Sequence, residues 1–208
     1  MLAVVGDGSH LALDASGRLD LPGAIAYGEA LDPHGLAWFE EPSDPLDFAI
    51  HAELSARYPL PLATGENLFS SQDARNLVRY RRARPDRDVL QFDPALSFGL
   101  VGCLRTLEML AEHGQSNRPL IPHGGHQFAV HVAAAMKLGG NESYPTELRP
   151  AGGFSDGAVV ADRRPAPSSA PGIGIEEKAE LSKAFRELTA QGGASSALQR
   201  ADLPKSAS

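Results

Sequence analysis

Asp14 in LALDASG, Glu40 in WFEEP and Glu66 in ATGEN follow one another at intervals of 26 residues, and each closes a short apolar run. An acid in that position reads as a carboxylate at the C-terminal end of a β-strand. The interval holds one strand, one helix and their loops, so consecutive parallel strands of a barrel would aim all three groups into one mouth. Converging carboxylates repel one another unless a divalent cation neutralises them, and Mg²⁺ takes hard oxygen donors while keeping positions open for substrate. Three exposed acids that merely fall evenly would share the spacing without the strand-end context.

Two further strand ends extend the series: Asp93 in LQFDP lies 27 residues past Glu66, and His123 in IPHGGH lies 30 past Asp93. An Asp that accepts from one imidazole nitrogen fixes the tautomer and raises the basicity of the other, which makes a tuned proton-transfer group. The bland alternative is a satisfied loop histidine and a turn aspartate before Pro94. A divalent cation beside such a histidine suits removal of a proton α to a carboxylate, because the cation stabilises the enediolate charge that develops. Dehydration and epimerisation share that intermediate, so these residues leave both open. A zinc site built on His123, His126 and His131 is disfavoured by the absence of a His-Glu-x-x-His pattern or a nearby cysteine. No Gly-x-Ser-x-Gly elbow is present, and Gly6-Asp7-Gly8 lacks the third glycine of a dinucleotide fingerprint.

The elements that must position these groups alternate. Strand signals fall over residues 11–14, 37–40, 62–66, 89–93, 120–122 and 141–144. Between them the periodicity predicts helices over 21–31, with Pro22 in the first turn, and over 45–56. Further helices are expected from a Ser70/Asp73 capping box to Tyr80, over 100–111 with Cys103 packed inward, and over 127–138. Such alternation predicts a parallel sheet with right-handed crossovers. Residues 1–150 therefore read as an incomplete TIM-like β/α barrel. Residues 151–191 read as a loop and a helix, with a possible edge strand at 158–160, and 192–208 as a disordered tail.

Composition narrows the function. A formal net charge of −7 argues against a nucleic-acid or anionic-membrane partner, since phosphate binding draws on Lys and Arg. The basic run Arg79 to Arg84 ends a helix, where cations suit the dipole, and is expected to be solvated. One cysteine excludes an internal disulfide, and neither a signal peptide nor a membrane span is evident, so a cytoplasmic location is expected.

Taken together, DASGR, WFEEPSDPLD, ATGENLFSSQDARNL, LQFDPALSFGL, IPHGGHQ and LGGNESYP resemble the mandelate racemase branch of the enolase superfamily, most closely its D-tartrate dehydratase-like members. The resemblance covers about residues 6–176. It implies that Asp14, Glu40 and Glu66 are Mg²⁺ ligands at the ends of barrel strands three, four and five. Asp93 and His123 would be the dyad on strands six and seven. Glu142 would be an acid at the end of strand eight that, when protonated, hydrogen-bonds the substrate carboxylate. Glu41, beside a ligand, is not the expected metal contact, and Ser16 stands where relatives often carry Asn.

The family's capping domain, first two strands and Lys-x-Lys base have no counterpart here, and Lys137, in a helix, is no substitute. The implied activity is a Mg²⁺-dependent dehydratase of small hydroxylated acids such as tartrate, impaired by truncation. The alternatives are a catalytically inactive fragment or association module, and a racemase or epimerase. Open sheet edges lead to an expectation of homo-oligomers or of a complementing N-terminal half.

Overall fold

The computed structural model describes residues 1–97, 99–144, 150, 152–162, 164–168 and 172–199. A short helix α1 (Leu2–Val5) and a 3₁₀ turn (Gly8–His10) lead into strand β1 (Ala12–Asp14). There follow α2 (Leu21–Leu31), β2 (Trp38–Glu40), α3 (Phe48–Arg57), β3 (Leu62–Thr64), α4 (Ser71–Tyr80), β4 (Val89–Leu90), α5 (Gly99–Glu112) and α6 (Gln127–Met136). The four strands form one parallel sheet in the order β1-β2-β3-β4, so every connection is a strand-helix-strand crossover to the next neighbour. This is part of a β/α barrel; no closed barrel forms among the described residues.

Helix starts follow local chemistry. The Asp20 side chain accepts from the Gly23 amide ahead of α2, and Asp47 accepts from Ala49 and Ile50 at the head of α3. Ser70 accepts from the Asp73 amide at 3.1 Å, and its hydroxyl donates to the Asp73 carboxylate at 2.7 Å, at the place where a capping box was expected.

Strand signals were longer than the strands that form. The expected fifth strand is a single parallel bridge from Leu120 to Leu90, because Pro119 and Pro122 flank it and neither has an N–H to extend a ladder. The expected sixth strand, 141–144, is not a strand; its one backbone–backbone hydrogen bond among the described residues is the Glu142 amide donating to the Pro122 carbonyl at 3.1 Å. The edge strand expected at 158–160 is shifted to β5 (Val160–Ala161), which pairs antiparallel with β6 (Arg164–Pro165). After a 3₁₀ turn (Ile175–Glu177), α7 (Ala179–Gln199) continues past the expected end near 191, and the rest of the expected tail, 200–208, lies outside the described residues.

Two apolar clusters hold the helices to the sheet. Leu13, Phe39 and Leu62 lie in register on β1, β2 and β3 and pack with Ala24, Leu54 and Tyr58 of the α2–α3 layer. Leu90, Phe92 and Leu120 pack with Leu77 of α4 and with Cys103, Leu107 and Leu110 of α5.

The basic run at the end of α4 is solvated as expected at Arg79 and Arg82 but not at Arg81 and Arg84. Arg81 is fully buried, and its guanidinium lies 3.6 Å from Asp88, donating to the Leu62 carbonyl at 3.3 Å. Arg84 donates to Asp88 at 2.6 Å and to the carbonyls of Tyr58 and Leu60. Asp88 in turn accepts from the Leu62 amide at 3.2 Å. Helix-end cations thus tie the α3–β3 loop to the start of β3 rather than facing water. No helix among the described residues is long and apolar enough to cross a membrane.

Candidate active site

Since Leu13, Phe39 and Leu62 point outward to the helices, their neighbours Asp14, Glu40 and Ala63 point to the opposite, concave face. Asp14 and Glu40 are direct register partners, and Glu66 follows β3 by two residues. The ladder continues to the strand ends, with the Ala15 amide donating to the Glu40 carbonyl and the Glu41 amide to the Ala63 carbonyl, both at 3.0 Å. The three acids of equal spacing therefore reach the same end of the sheet.

Their carboxylates are each turned to a separate donor. Asp14 accepts from the Ser16 amide at 2.6 Å and the Ser16 hydroxyl at 3.2 Å, and Ser16 adopts a left-handed φ of 50° to close that turn. Glu40 is buried and accepts from the Trp38 indole at 2.8 Å. Burial raises its pKa, the indole opposes that, and the charges of Glu142 and Asp14 raise it further. Glu66 Oε2 lies 3.4 Å from His123 Nε2. Burial pushes the Glu66 carboxyl up to about 7; His123 pulls against this, while Glu41, Glu40 and Glu142 add to it. Among the described residues, no three His, Cys, Asp or Glu side chains stand ready-grouped around one point as metal ligands. The carboxylates gather at one rim but do not converge on a common centre, as expected of like charges that each have a better partner beside them.

Asp93 organises the histidines. Its Oδ1 accepts from the Ala95 amide at 2.6 Å and lies 3.0 Å from His126 Nε2, while Oδ2 lies 3.3 Å from His123 Nδ1. Burial alone would raise its pKa, but the His123 and His126 contacts and the Ala95 amide outweigh it and hold the carboxyl well below the ordinary range. The Asp93 contact, opposed by burial and aided by the charges of Glu66 and Glu142, lifts His123 to about 9. His126 also accepts the Ala129 amide on Nδ1 at 3.1 Å, capping α6. Its Nε2 therefore carries the hydrogen that goes to Asp93.

Glu142 closes the ring of acids. Its Oε2 accepts the Gly124 amide at 3.0 Å and lies 3.9 Å from His123 Nε2. Tyr144 stands beside it, pushed up to about 12 by burial and by Glu142, Glu40 and Glu66. Gly124 must be glycine for close approach: at a φ of +95°, a Cβ there would lie 2.7 Å from Asp93 Oδ2. Glu41, also buried, is occupied elsewhere, accepting from Asn67 at 3.1 and 3.0 Å and from Thr64 at 3.2 Å.

All six residues singled out from the sequence thus sit at this end: Asp14, Glu40, Glu66, Asp93, His123 and Glu142. Three participants were missed. His126 has a visible signal, its three-residue spacing from His123, but as a sequence pattern that spacing points to a metal pair rather than to a shared carboxylate. Trp38 precedes Glu40 by two residues, which places both on one face of a strand, and Tyr144 had no signal of its own.

Residues 1–181 match the family described as enolase C-terminal domain-like. The chain belongs to that family. Proteins similar to it include the L-talarate/galactarate dehydratase of Salmonella typhimurium, 33% identical over 134 residues, which are 64% of this chain and 32% of the relative. A 3,6-anhydro-α-L-galactonate cycloisomerase of Streptomyces coelicolor is also 33% identical, over 64% of this chain and 35% of its own length. Among solved structures, L-talarate dehydratase from Polaromonas sp. JS666, complexed with Mg and L-glucarate, superposes with a TM-score of 0.67. It is 30% identical and covers 79% of this chain and 42% of its own. The chain spans about a third of the length of these curated relatives.

Proposed function

We propose that this chain carries the metal-binding and acid-base residues of a Mg²⁺-dependent dehydratase of hydroxylated acids. The observation that carries the reading is the placement of His123, with Nδ1 on Asp93 and Nε2 facing Glu66 and Glu142. The donor set fits Mg²⁺: Asp14, Glu40 and Glu66 offer hard oxygens at one rim, and burial with mutual repulsion raises Glu40 and Glu66, a cost that a bound dication relieves. These three residues would hold the ion, which supplies stabilisation of the negative charge that develops on a substrate carboxylate as its α-proton leaves.

The groups gathered at this rim supply the acid side of the elimination; no acceptor for the α-proton is among them. Asp93 keeps His123 protonated through neutral pH, so Nε2 is a proton donor for a departing β-hydroxyl. Glu142 and Tyr144 sit where a substrate carboxylate could be oriented by hydrogen bonds. The relatives' names support polyhydroxylated sugar acids as the substrate class. D-tartrate, the four-carbon diacid of that class, is the specific substrate favoured by the motifs in Asp14 to Tyr144.

Calorimetric Mg²⁺ titration of the wild type, Glu40→Gln and Glu66→Gln tests the reading, with tartrate and galactarate turnover followed as keto acid. Weaker Mg²⁺ binding in both variants supports it. Equal Mg²⁺ affinity in all three proteins refutes it. Metal binding with a stereoisomer as product would favour an epimerase, and metal binding without product an inactive module.

A further inference from the structure

A cavity of about 370 Å³ lies in the outer layer, between α2, α3 and the outward face of β2 and β3. It is at the opposite end of the sheet from the acids, since its rim lies where α2 and α3 finish. Its volume is in the range that takes small organic ligands. Ala24, Ile25, Phe39, Leu54 and Leu62 make an apolar wall. Tyr58 also lines it, is 5% exposed, and has a hydroxyl buried without a hydrogen-bond partner. A buried hydroxyl without a partner is costly, so a ligand that supplies one gains from it.

The rim carries two acids and one cation. Glu29 and Asp32 stand there as acids. Arg57 is the one cation of the lining, and it is engaged by Glu53 at 2.5 Å. Asp32 and Arg84 both act on Tyr58 electrostatically, Asp32 the more strongly, and Arg84 is itself held by Asp88 and the Tyr58 carbonyl. The C-terminal ends of α2 and α3 meet at the same place, and the carbonyl ends of helices favour cations. We propose that this cavity is a binding site for a small primary amine with an apolar body, its ring against Phe39 and Leu54 and its ammonium between Asp32 and the Tyr58 hydroxyl.

The test is an amide-shift NMR titration of the full ¹⁵N-labelled chain with 2-phenylethylamine, 2-phenylethanol and 3-phenylpropionate. The amine should bind tightest and the propionate weakest, with shifts confined to the last turns of α2 and α3. Asp32→Asn should weaken the amine by about three- to fivefold, the range of an exposed charge pair, and leave the alcohol unchanged. Ile25→Trp should block both while preserving the rest of the spectrum. Propionate binding as tight as the amine, shifts located elsewhere, or no shift for any of the three would overturn the proposal.

Discussion

His126 approaches Asp93 more closely than His123 does, 3.0 Å against 3.3 Å. The two imidazoles use different oxygens of one carboxylate, so they share Asp93 rather than exclude each other. Because Nδ1 of His126 is occupied by the Ala129 amide, His126 links the Asp93 loop to the first turn of α6.

His126→Ala should therefore destabilise the chain through its helix cap as well as through Asp93. Loss of a cap typically costs about 0.5–2 kcal/mol. Urea unfolding should show that decrease, and His126→Asn, which can still accept the amide, should recover most of it. Equal stability of the two variants would remove the capping role.

His51 makes stability depend on pH. It is fully buried on α3, with Nε2 against the Asp44 carbonyl at 3.1 Å and Nδ1 without a partner. Burial, then the charge of Arg81, lowers it to about 4. The folded value lies below the unfolded one, so its contribution is intact above about 6.5 and is lost as pH falls from there toward 4, amounting to on the order of 3 kcal/mol. His51→Gln should flatten that part of the stability profile, and an unchanged slope would show that other groups cause it.

Asp88→Asn should be far worse than Glu53→Gln. The first leaves Arg81 buried without its anion, at a cost of about 3–5 kcal/mol, whereas exposed pairs such as Glu53–Arg57 contribute roughly 0–1 kcal/mol. Denaturant midpoints of the two variants give the comparison directly, and similar midpoints would contradict the tie described for β3.

Gly124→Ala should disturb the histidine site without removing any of its groups. The added methyl meets Asp93 Oδ2 and the His126 ring, and the positive φ strains any L side chain. His123 ring resonances should shift toward those of an imidazole without its carboxylate. A His123 spectrum identical to wild type would show that the loop relaxes freely.

Much of the scaffold was legible because it depends on local chemistry. The capping box at Ser70 and Asp73, Pro22 in the first turn of α2, the apolar periodicity of α5 and the order of strands are written in short stretches. Strand lengths were less so. The residues at 120–122 have strand character, yet flanking prolines restrict them to one bridge, and among the described residues the backbone of 141–144 bonds only to the Pro122 carbonyl. The burial of Arg81 and Arg84 was hidden because their anion, Asp88, follows a turn that charge counting does not fold.

The candidate site divides in the same way. Residue type and the repeated interval determined which acids and which histidine would reach one end of the sheet, since period-two alternation and strand-helix-strand units set position along the chain. Tertiary structure alone decided which group touches which: Trp38 on Glu40, His123 between Glu66 and Asp93, His126 on the second Asp93 oxygen. Those choices turn on loop conformation, burial and the competition of several donors for one carboxylate, and none of these is a property of any residue's immediate sequence neighbours.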